Sequence, residues 1–251
     1  MEQEYYKDYY KLERKHWWFV AREKIIIDTF ERISNKKSGL KILNVGCATG
    51  RSTEYLSQYG EVTSIEYNED CCKFLREELK MPVINASATD LPLESESYDW
   101  VCSLDVVEHI EDHEKAVQEM ARVLKPGGHI FLTVPAFMDL WSKHDLINHH
   151  FRRYKMDELT SLFKPELNGN IIYKTYFNSI LFPLIWIFRK ISSLFIKDMK
   201  YDSNDSDFDD PDKNKVKGFI FYNIFYLEKF LLRKMSFPFG VSAMVVWQKK
   251  A

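Results

Sequence analysis

The chain has 251 residues, a formal net charge of −2 and a hydrophobic fraction of 45%. These values predict a soluble globular protein with one large domain, or one domain that carries a substantial insertion. The near-neutral charge argues against a general nucleic-acid-binding protein, because such proteins need a basic surface to attract phosphates.

The cysteines indicate a reducing cellular compartment. Cys47, Cys71, Cys72 and Cys102 include no C-x-x-C pair, and no histidine lies at zinc-ligand spacing. They predict reduced thiols in a cytoplasmic protein, and no metal site. Residues 1–18 are polar and charged, so we do not expect a signal peptide.

The first part of the chain alternates between helix and strand. Residues 1–37 are predicted to be helical, because apolar residues recur at helical spacing at Ile25, Ile26, Phe30 and Ile33. Strands are predicted at 41–45, 61–65, 83–86, 98–104 and 129–134, and helices between them at 52–59, 69–79 and 113–124. This alternation predicts a parallel sheet with helices on both faces.

The pattern changes after Pro135. The predicted elements are a short helix at 157–163, a strand at 170–177, an apolar segment at 179–197, an aromatic-rich helix at 218–235 and a last strand at 241–248. We therefore predict three regions, namely an N-terminal helical cap (1–37), an α/β core (38–137 and 238–251) and an acceptor-side region with a helical insertion (138–237).

Two segments of the insertion leave alternatives open. Segment 179–197 is interrupted by Pro183 and by Arg189-Lys190, so it is too short to span a membrane. It would pack on the core, cover an apolar pocket or lie in a membrane surface. Segment 198–215 has seven aspartates and predicts a solvated loop; a calcium loop would need an EF-hand spacing that is absent.

A glycine-rich turn follows the first predicted strand, in the stretch KILNVGCATGRS. Gly46 and Gly50 permit a tight turn, and the helix N-terminus after them favours a small anionic group. Neither the P-loop pattern nor G-x-G-x-x-G is present. Glu66 ends the second strand twenty residues after Gly46 and could bind both hydroxyls of a ribose. The pattern predicts an adenosine-like ligand without a pyrophosphate.

Five stretches resemble the class I S-adenosylmethionine-dependent methyltransferases, of the group that methylates small molecules. NVGCATG resembles the first motif of that family, and Glu66 matches its ribose-binding acid. SATDLPL resembles the loop that edges the adenine, YDWVCSLDVVEHI the fourth-strand motif and RVLKPGGHIFLTVP the fifth. The resemblance covers about residues 38–137 in order, together with the last strand.

This resemblance implies a fold, a cofactor and a binding site. The fold is α/β, with a doubly wound, mostly parallel seven-stranded sheet, an N-terminal helical lid and a helical insertion before the last strand. The cofactor is S-adenosyl-L-methionine, which yields S-adenosyl-L-homocysteine. The implied cofactor-binding residues are Gly46, Cys47, Ala48, Gly50, Glu66, Tyr67, Ser87, Ala88, Thr89, Leu104, Asp105, His109 and Arg22.

The roles of Ser87 and His109 in this set are less direct than those of the other residues. Ser87 stands where the family often has an aspartate that accepts from the adenine amino group, so the contact with adenine would lack a charge. His109 could line the methionine end of the cofactor, or serve only as a capping or core histidine. A narrower subgroup is suggested by HWWFVARE and by WSKHDLINHHFRRYKMDEL, but it implies no substrate.

The stretch after the fifth strand supplies candidate catalytic residues. His149 is the first candidate for a general base, followed by His144 and Tyr154, with Asp145 and His150 nearby, because imidazole titrates near neutral pH. These histidines could instead only hold the loop together. Arg152 and Arg153 would bind an anionic acceptor, or pair with acids of this chain.

Trp17 and Trp18 would form a lid over the cofactor or acceptor, or pack as part of the N-terminal helix. The predicted function is methyl transfer to an oxygen or nitrogen of a small, partly apolar or anionic acceptor. Alternatives are a peptide or protein N-methyltransferase and a non-catalytic S-adenosylmethionine-binding protein. A nucleic-acid methyltransferase is disfavoured, because Ser103–Val106 replaces a Pro-Pro-Tyr type motif.

The expected partner is thus a small molecule and not a nucleic acid. Segments 179–197 and 218–235 would allow peripheral membrane contact by a cytoplasmic protein. Both a monomer and a homodimer are compatible with the sequence.

Overall fold

The chain begins with two helices rather than one. A computed structural model describes residues 3–195 and 215–251, so the predicted acidic loop 198–215 lies, except for Lys215, outside the described residues. Helix α1 is Gln3–Lys15 and helix α2 is Trp17–Ile33. They are separated at His16, which caps α2 because its ring nitrogen Nδ1 accepts from the backbone N–H of Trp18 at 3.3 Å.

Seven strands form a single mixed sheet in the order β3-β2-β1-β4-β5-β7-β6. The strands are β1 Leu40–Val45, β2 Gly60–Glu66, β3 Ile84–Asn85, β4 Tyr98–Leu104, β5 Leu124–Pro135, β6 Gly169–Phe177 and β7 Ser242–Lys249. Strands β1 to β5 are parallel, and β7 is antiparallel to both β5 and β6. The predicted fold class is confirmed, with β7 as the antiparallel strand.

The remaining helices connect and cover these strands. They are α3 Arg51–Leu56, α4 Glu69–Glu77, α5 His113–Val123, α6 Lys143–Ile147, α7 Met156–Thr160, α8 Phe182–Phe195 and α9 Lys215–Leu231, with 3-10 turns at Val107–His109, Met138–Leu140 and Pro165–Leu167. Helices α7 and α9 end earlier than the sequence predicted. None of the helices in the described ranges combines the length and the hydrophobicity that crossing a bilayer requires.

The core lies on both faces of the sheet, because successive strand residues point to opposite sides. Trp100 and Phe131 face a cluster that includes Phe30 of α2 and Phe225 of α9. Their neighbours, among them Val101, face a second cluster built with α5. The predicted N-terminal helix therefore contributes part of the core through α2.

A buried carboxylate fixes α9 to the segment that leads into α8. Glu228 accepts from the backbone N–H groups of Ser179 and Ile180 at 2.7 Å each. Burial, only partly offset by these hydrogen bonds, raises the pKa of Glu228 to about 7. The insertion is thus attached to the core through a polar contact as well as through apolar packing.

The strand order indicates at which edge of the sheet a ligand would bind. Strand β1 lies between β2 and β4, so the connections from β1 and from β4 leave on opposite sides of that point. In open parallel sheets, ligands bind outside the carboxyl ends of the strands at such a switch point. The turn after β1, the end of β2 and the segment after β4 all meet there.

Candidate active site

The two glycines of the turn are required by its geometry. Gly46 has a φ of 72°, and a Cβ there would lie 2.4 Å from the Cγ2 atom of Val106. Gly50 has a φ of 84° and immediately precedes α3, where a Cβ would lie 2.7 Å from the Sδ atom of Met81. Both positions combine left-handed backbone with close packing, so they exclude larger residues.

Glu66 lies directly against this turn. One carboxylate oxygen accepts from the backbone N–H of Ala48 at 3.1 Å, and the other accepts from the backbone N–H of Asn68 at 3.0 Å. Tyr67 beside it is largely exposed. The backbone thus holds the carboxylate at the end of β2, in the position where related folds bind ribose hydroxyls.

Arg22 and Asp105 come together from distant parts of the chain. A guanidinium nitrogen (Nη2) of Arg22 lies 2.8 Å from the Asp105 carboxylate and donates to the Thr133 hydroxyl at 2.6 Å. Thr133 in turn donates to Asp105 at 3.0 Å. Asp105 adopts a φ of 58° at the end of β4, which turns the chain at the sheet edge.

The Nε atom of Arg22 has no hydrogen-bond partner among the described residues, although Arg22 is buried. An unsatisfied buried donor of this kind is costly, so it favours an acceptor that enters from outside the chain. The carboxylate of an amino-acid moiety suits it. Together with the ribose position at Glu66, this donor makes the residues present fit S-adenosylmethionine.

The predicted adenine loop follows β3. The hydroxyls of Ser87 and Thr89 are 2.8 Å apart, and the backbone N–H of Thr89 donates to the Ser87 oxygen at 3.2 Å. Ala88 between them is buried, and Leu104 at the end of β4 is half-buried. Cys47 in the glycine turn is also buried, and burial raises the pKa of its thiol, which is consistent with a packing residue.

Helix α1 covers the glycine turn. The hydroxyl of Thr49 donates to Glu13, and the ring of Tyr6 stacks on Phe74 of α4 at 6.0 Å between centroids. Burial raises the pKa of Glu13 to about 7. The N-terminal helix therefore lies against the glycine turn, the place that a lid would occupy.

The two tryptophans lie at the start of α2. Trp17 contacts Phe221 of α9, with ring centroids 5.3 Å apart. Trp18 places its ring 5.5 Å from the guanidinium carbon of Arg22. Trp18 is thus next to a predicted cofactor residue, whereas Trp17 packs against the insertion.

The stretch after β5 folds back onto the segment after β4. Arg152 donates to the backbone carbonyls of Ile110 and Glu111 at 2.9 and 3.0 Å. Phe151 donates its backbone N–H to the carbonyl of Glu108 at 2.8 Å. Sequence analysis did not connect the segment after β4 with the stretch after β5. In the structure, they form a single wall of the site.

Three candidate bases have different surroundings. Tyr154 is buried, donates to the carbonyl of Val107 at 3.3 Å and contacts His113 Nδ1 at 2.7 Å; burial raises the pKa of its phenol. His144 contacts the side chain of Asn148. His149 is exposed and has a φ of 55°.

Asp145 organises this wall. It accepts two hydrogen bonds from Arg153 at 2.8 and 2.9 Å and contacts His150 Nδ1 at 2.8 Å. It also accepts from the backbone N–H of Ser142 at 2.8 Å. Burial would raise the pKa of Asp145, but the hydrogen bond with His150 and the charge of Arg153 outweigh it and hold the pKa well below its usual range.

His109 and Glu108 lie beside His150. The rings of His109 and His150 are 4.5 Å apart and nearly perpendicular. His109 keeps part of its surface exposed, but desolvation by the surrounding residues and repulsion from His150 lower the pKa of its imidazole to about 4. Burial also raises the pKa of Glu108 well above its usual range, with a further contribution from the charge of Asp105.

Sequence reasoning missed several participants. Thr133 and Glu13 received no role, although Thr133 lies within the fifth-strand motif. Glu108 also received no role of its own, although it lies within the fourth-strand motif. The contacts of Asp145 with His150 and Arg153 were not predicted, since nothing in the sequence indicates which partner a buried acid selects.

Comparison with known proteins agrees with this geometry. The family described as "Methyltransferase domain" matches residues 43–132. A probable S-adenosylmethionine-dependent methyltransferase of Mycobacterium tuberculosis is 28% identical over 155 residues, which is 60% of this chain and 55% of that protein. A demethylmenaquinone methyltransferase of Staphylococcus aureus is 32% identical over 120 residues, which is 42% of this chain and 50% of that protein.

Residues 43–132 therefore match a methyltransferase domain, and the chain is similar to S-adenosylmethionine-dependent methyltransferases. The cofactor in the names of these relatives, S-adenosylmethionine, is the one that the glycine turn and Glu66 predicted. The chain spans 50–60% of the length of the curated relatives it matches.

Solved structures of this class share the fold. A methyltransferase from Archaeoglobus fulgidus has a TM-score of 0.54 at 19% identity and covers 90% of this chain and 94% of that one. A phosphoethanolamine N-methyltransferase from Haemonchus contortus, solved with S-adenosyl-L-methionine, has a TM-score of 0.57 at 14% identity and covers 90% of this chain and 52% of that one.

Proposed function

We propose that this chain transfers a methyl group from S-adenosylmethionine to an oxygen or nitrogen of a small, partly apolar or anionic acceptor. The observation that carries the proposal is the arrangement of Glu66 and Arg22 around the glycine turn. Backbone N–H groups hold the Glu66 carboxylate, and the buried Nε of Arg22 lacks a partner among the described residues. The relatives named for demethylmenaquinone support a small-molecule acceptor.

Each part of the cofactor site has a separate task. Glu66 binds the ribose hydroxyls, Arg22 binds the carboxylate of the methionine moiety, and Ser87 contacts the adenine. When bound, S-adenosylmethionine supplies an activated methyl group that an acceptor oxygen or nitrogen takes by in-line displacement as the sulfonium becomes a neutral thioether. Helix α1 and Trp18 keep water from the site, so the chain contributes mainly alignment, worth about 7–11 kcal/mol.

The wall formed by the stretch after β5 receives the acceptor. His149 is the proposed base, because it is exposed in the stretch that forms this wall. It would accept the proton that the acceptor loses. Tyr154 is the weakest of the three candidates, since its phenol already contacts Val107 and His113. Arg152 and Arg153 shape this wall through their contacts within the chain.

The proposal retains the division of the chain into three regions. Residues 1–37 act as the cap, residues 38–137 and 238–251 bind the cofactor, and residues 138–237 provide the acceptor side. The contacts of α1 with the glycine turn and of α9 with the approach to α8 support this division.

Calorimetric titration tests the cofactor site. We expect micromolar binding of both S-adenosylmethionine and S-adenosylhomocysteine by the parent chain. Glu66→Ala should weaken binding about 10–100-fold, because a charged hydrogen-bond acceptor is lost. Glu69→Ala, which removes a half-exposed acid at the start of α4, is the matched control and should bind like the parent. Equal affinity in Glu66→Ala would contradict the ribose assignment.

We further propose that α8 and α9 dock on an anionic lipid surface. Exposed apolar residues recur at helical spacing on both helices, at Leu184, Ile187, Phe188 and Ile191 and at Val216, Phe219, Ile220, Leu227 and Phe230. Ranges 180–195 and 215–227 contain basic residues but no aspartate or glutamate. Apolar stripes flanked by cations match a membrane with anionic headgroups.

Co-sedimentation with vesicles tests this docking. The parent chain should bind vesicles of phosphatidylglycerol with phosphatidylcholine more strongly than phosphatidylcholine alone. The double variant Phe188→Ser, Phe219→Ser should lose binding, whereas Ile172→Ser, an exposed apolar residue of β6, should not. Unchanged binding by the double variant, or a stable dimer that binds no vesicles, would contradict the proposal.

A further inference from the structure

Three side chains at the acceptor wall converge on one point. Glu108, His109 and His150 each present a potential ligand atom, and these three atoms lie within 4.8 Å of one another. Glu108 and His109 belong to the 3-10 turn after β4, whereas His150 lies beyond α6. Spacings of 41 and 42 residues are far from any zinc-binding pattern, which is why the sequence predicted no metal ligand.

Glu108 supplies the second observation. It is fully buried, and neither of its carboxylate oxygens has a hydrogen-bond partner among the described residues. An unpartnered buried carboxylate is strongly unfavourable unless a proton or a cation neutralises it. The buried carboxylate therefore needs a cation or a proton close to it.

His109 and His150 lie side by side, with ring centroids 4.5 Å apart. His150 uses Nδ1 to contact Asp145 at 2.8 Å, which leaves Nε2 for another partner. Metal-binding histidines usually direct their second nitrogen to a carboxylate or a backbone carbonyl in this way, because that contact fixes the tautomer and the ring. Arg153 holds Asp145 in place in turn.

We propose that Glu108, His109 and His150 bind one divalent first-row transition-metal ion. Two imidazoles and one carboxylate suit zinc, iron(II) or manganese(II) better than magnesium or calcium. Three protein ligands leave open coordination positions, as in catalytic sites. The role of the ion rests on the proposed function: it would bind an acceptor hydroxyl and lower its pKa before methyl transfer. Binding itself does not depend on that function.

Metal titration without cofactor or acceptor tests the site. The chain is stripped with a chelator and titrated with Zn²⁺ by calorimetry and with Co²⁺ by visible absorption. We expect one ion per chain and d–d bands of nitrogen and oxygen coordination. Glu108→Gln and His150→Ala should each weaken binding more than tenfold, and Asp145→Asn about 10–100-fold, because it orients His150. Glu111→Gln, an exposed acid three residues on, should bind like the parent.

Each outcome decides the proposal. Absence of stoichiometric binding by the parent, or equal affinity in Glu108→Gln, would overturn it and leave a protonated Glu108 as the explanation. If Glu108→Gln does not fold, His150→Ala and the cobalt spectrum of the parent decide. S-adenosylmethionine binding by the metal-free chain is measured in parallel. Cofactor binding without metal binding refutes only the metal site, and the reverse refutes only the proposed function.

Discussion

The cofactor side and the acceptor side of this molecule are built in different ways. On the cofactor side, backbone groups hold the key residue, since Ala48 and Asn68 fix the carboxylate of Glu66. On the acceptor side, side chains hold one another, as Asp145 joins Arg153 and His150. Backbone geometry tolerates change in neighbouring side chains, whereas a side-chain network fails when one member is lost.

This difference leads to distinct expectations for mutations. Changes on the cofactor side should alter ligand affinity and leave the fold largely intact. Changes on the acceptor side should alter turnover or stability and leave cofactor affinity intact. Four substitutions test this difference, and the first has the largest expected effect.

His149→Ala separates the two sides most strongly. With an acceptor identified by screening, turnover should fall about 10²–10⁴-fold, because a general base is removed. The dissociation constant for S-adenosylmethionine should stay within about twofold of the parent value, since His149 is outside the proposed cofactor site. Steady-state kinetics and calorimetry provide the two measurements. His144→Ala is the comparison variant, and full turnover in His149→Ala would remove His149 as the base.

Asp145→Asn tests the side-chain network itself. The variant leaves Arg153 buried without its charged partner, and unfolding free energy should fall by about 3–5 kcal/mol. Urea unfolding monitored by circular dichroism measures the loss. Asp139→Asn is the matched control, because Asp139 is exposed and its ion pair with Lys190 should contribute at most about 1 kcal/mol. Equal stability of the two variants would contradict a structural role for Asp145.

The sequence predicted the cofactor side better than the acceptor side for a physical reason. The turn at Gly46 and the acid at Glu66 follow from local rules, because strand ends and turn conformations depend on nearby residues. The parallel part of the sheet followed from the alternation of strands and helices, and the number of seven strands from the family resemblance. Helix boundaries such as the break at His16 did not, because the cap depends on one hydrogen bond to Trp18.

Contacts between side chains far apart in the chain could not be predicted on either side of the molecule. The resemblance indicated that Arg22 belongs to the cofactor site, but no pattern indicated that Arg22 would meet Thr133 across 111 residues. For Arg153, the sequence left open whether it binds an acceptor or an acid of this chain. The structure pairs it with Asp145, a choice that only three-dimensional packing determines.

Glu13→Gln examines the lid, where a side chain acts on the cofactor side. Burial raises the pKa of Glu13 from 4.5 to about 7. An acid whose pKa is higher in the folded state binds more protons when folded, so the chain should lose stability as pH rises from about 4.5 to about 7. Glutamine stays neutral, and its carbonyl can still accept from Thr49. The variant should therefore be about 1–3 kcal/mol more stable than the parent at pH 8 and similar to it at pH 4.5.

Thermal unfolding across this pH range measures the effect of Glu13→Gln. Glu78→Gln, which changes an exposed acid paired with Lys7, controls for the loss of a surface charge and should show no such pH dependence. If both variants follow the parent curve, the Glu13 carboxyl is not buried against the glycine turn.

Ser87→Asp should have the smallest effect, and it tests the departure from the family pattern. Ser87 accepts from the backbone N–H of Thr89, and an aspartate can make the same turn. Its charge would add a stronger acceptor for the adenine amino group, so S-adenosylmethionine should bind about 2–10-fold more tightly. Ser87→Ala should weaken binding or leave it unchanged. Weaker binding by Ser87→Asp would mean that the carboxylate disrupts the loop or that adenine lies elsewhere; retained thermal stability of the variant would then favour the second explanation, because the loop would still be intact.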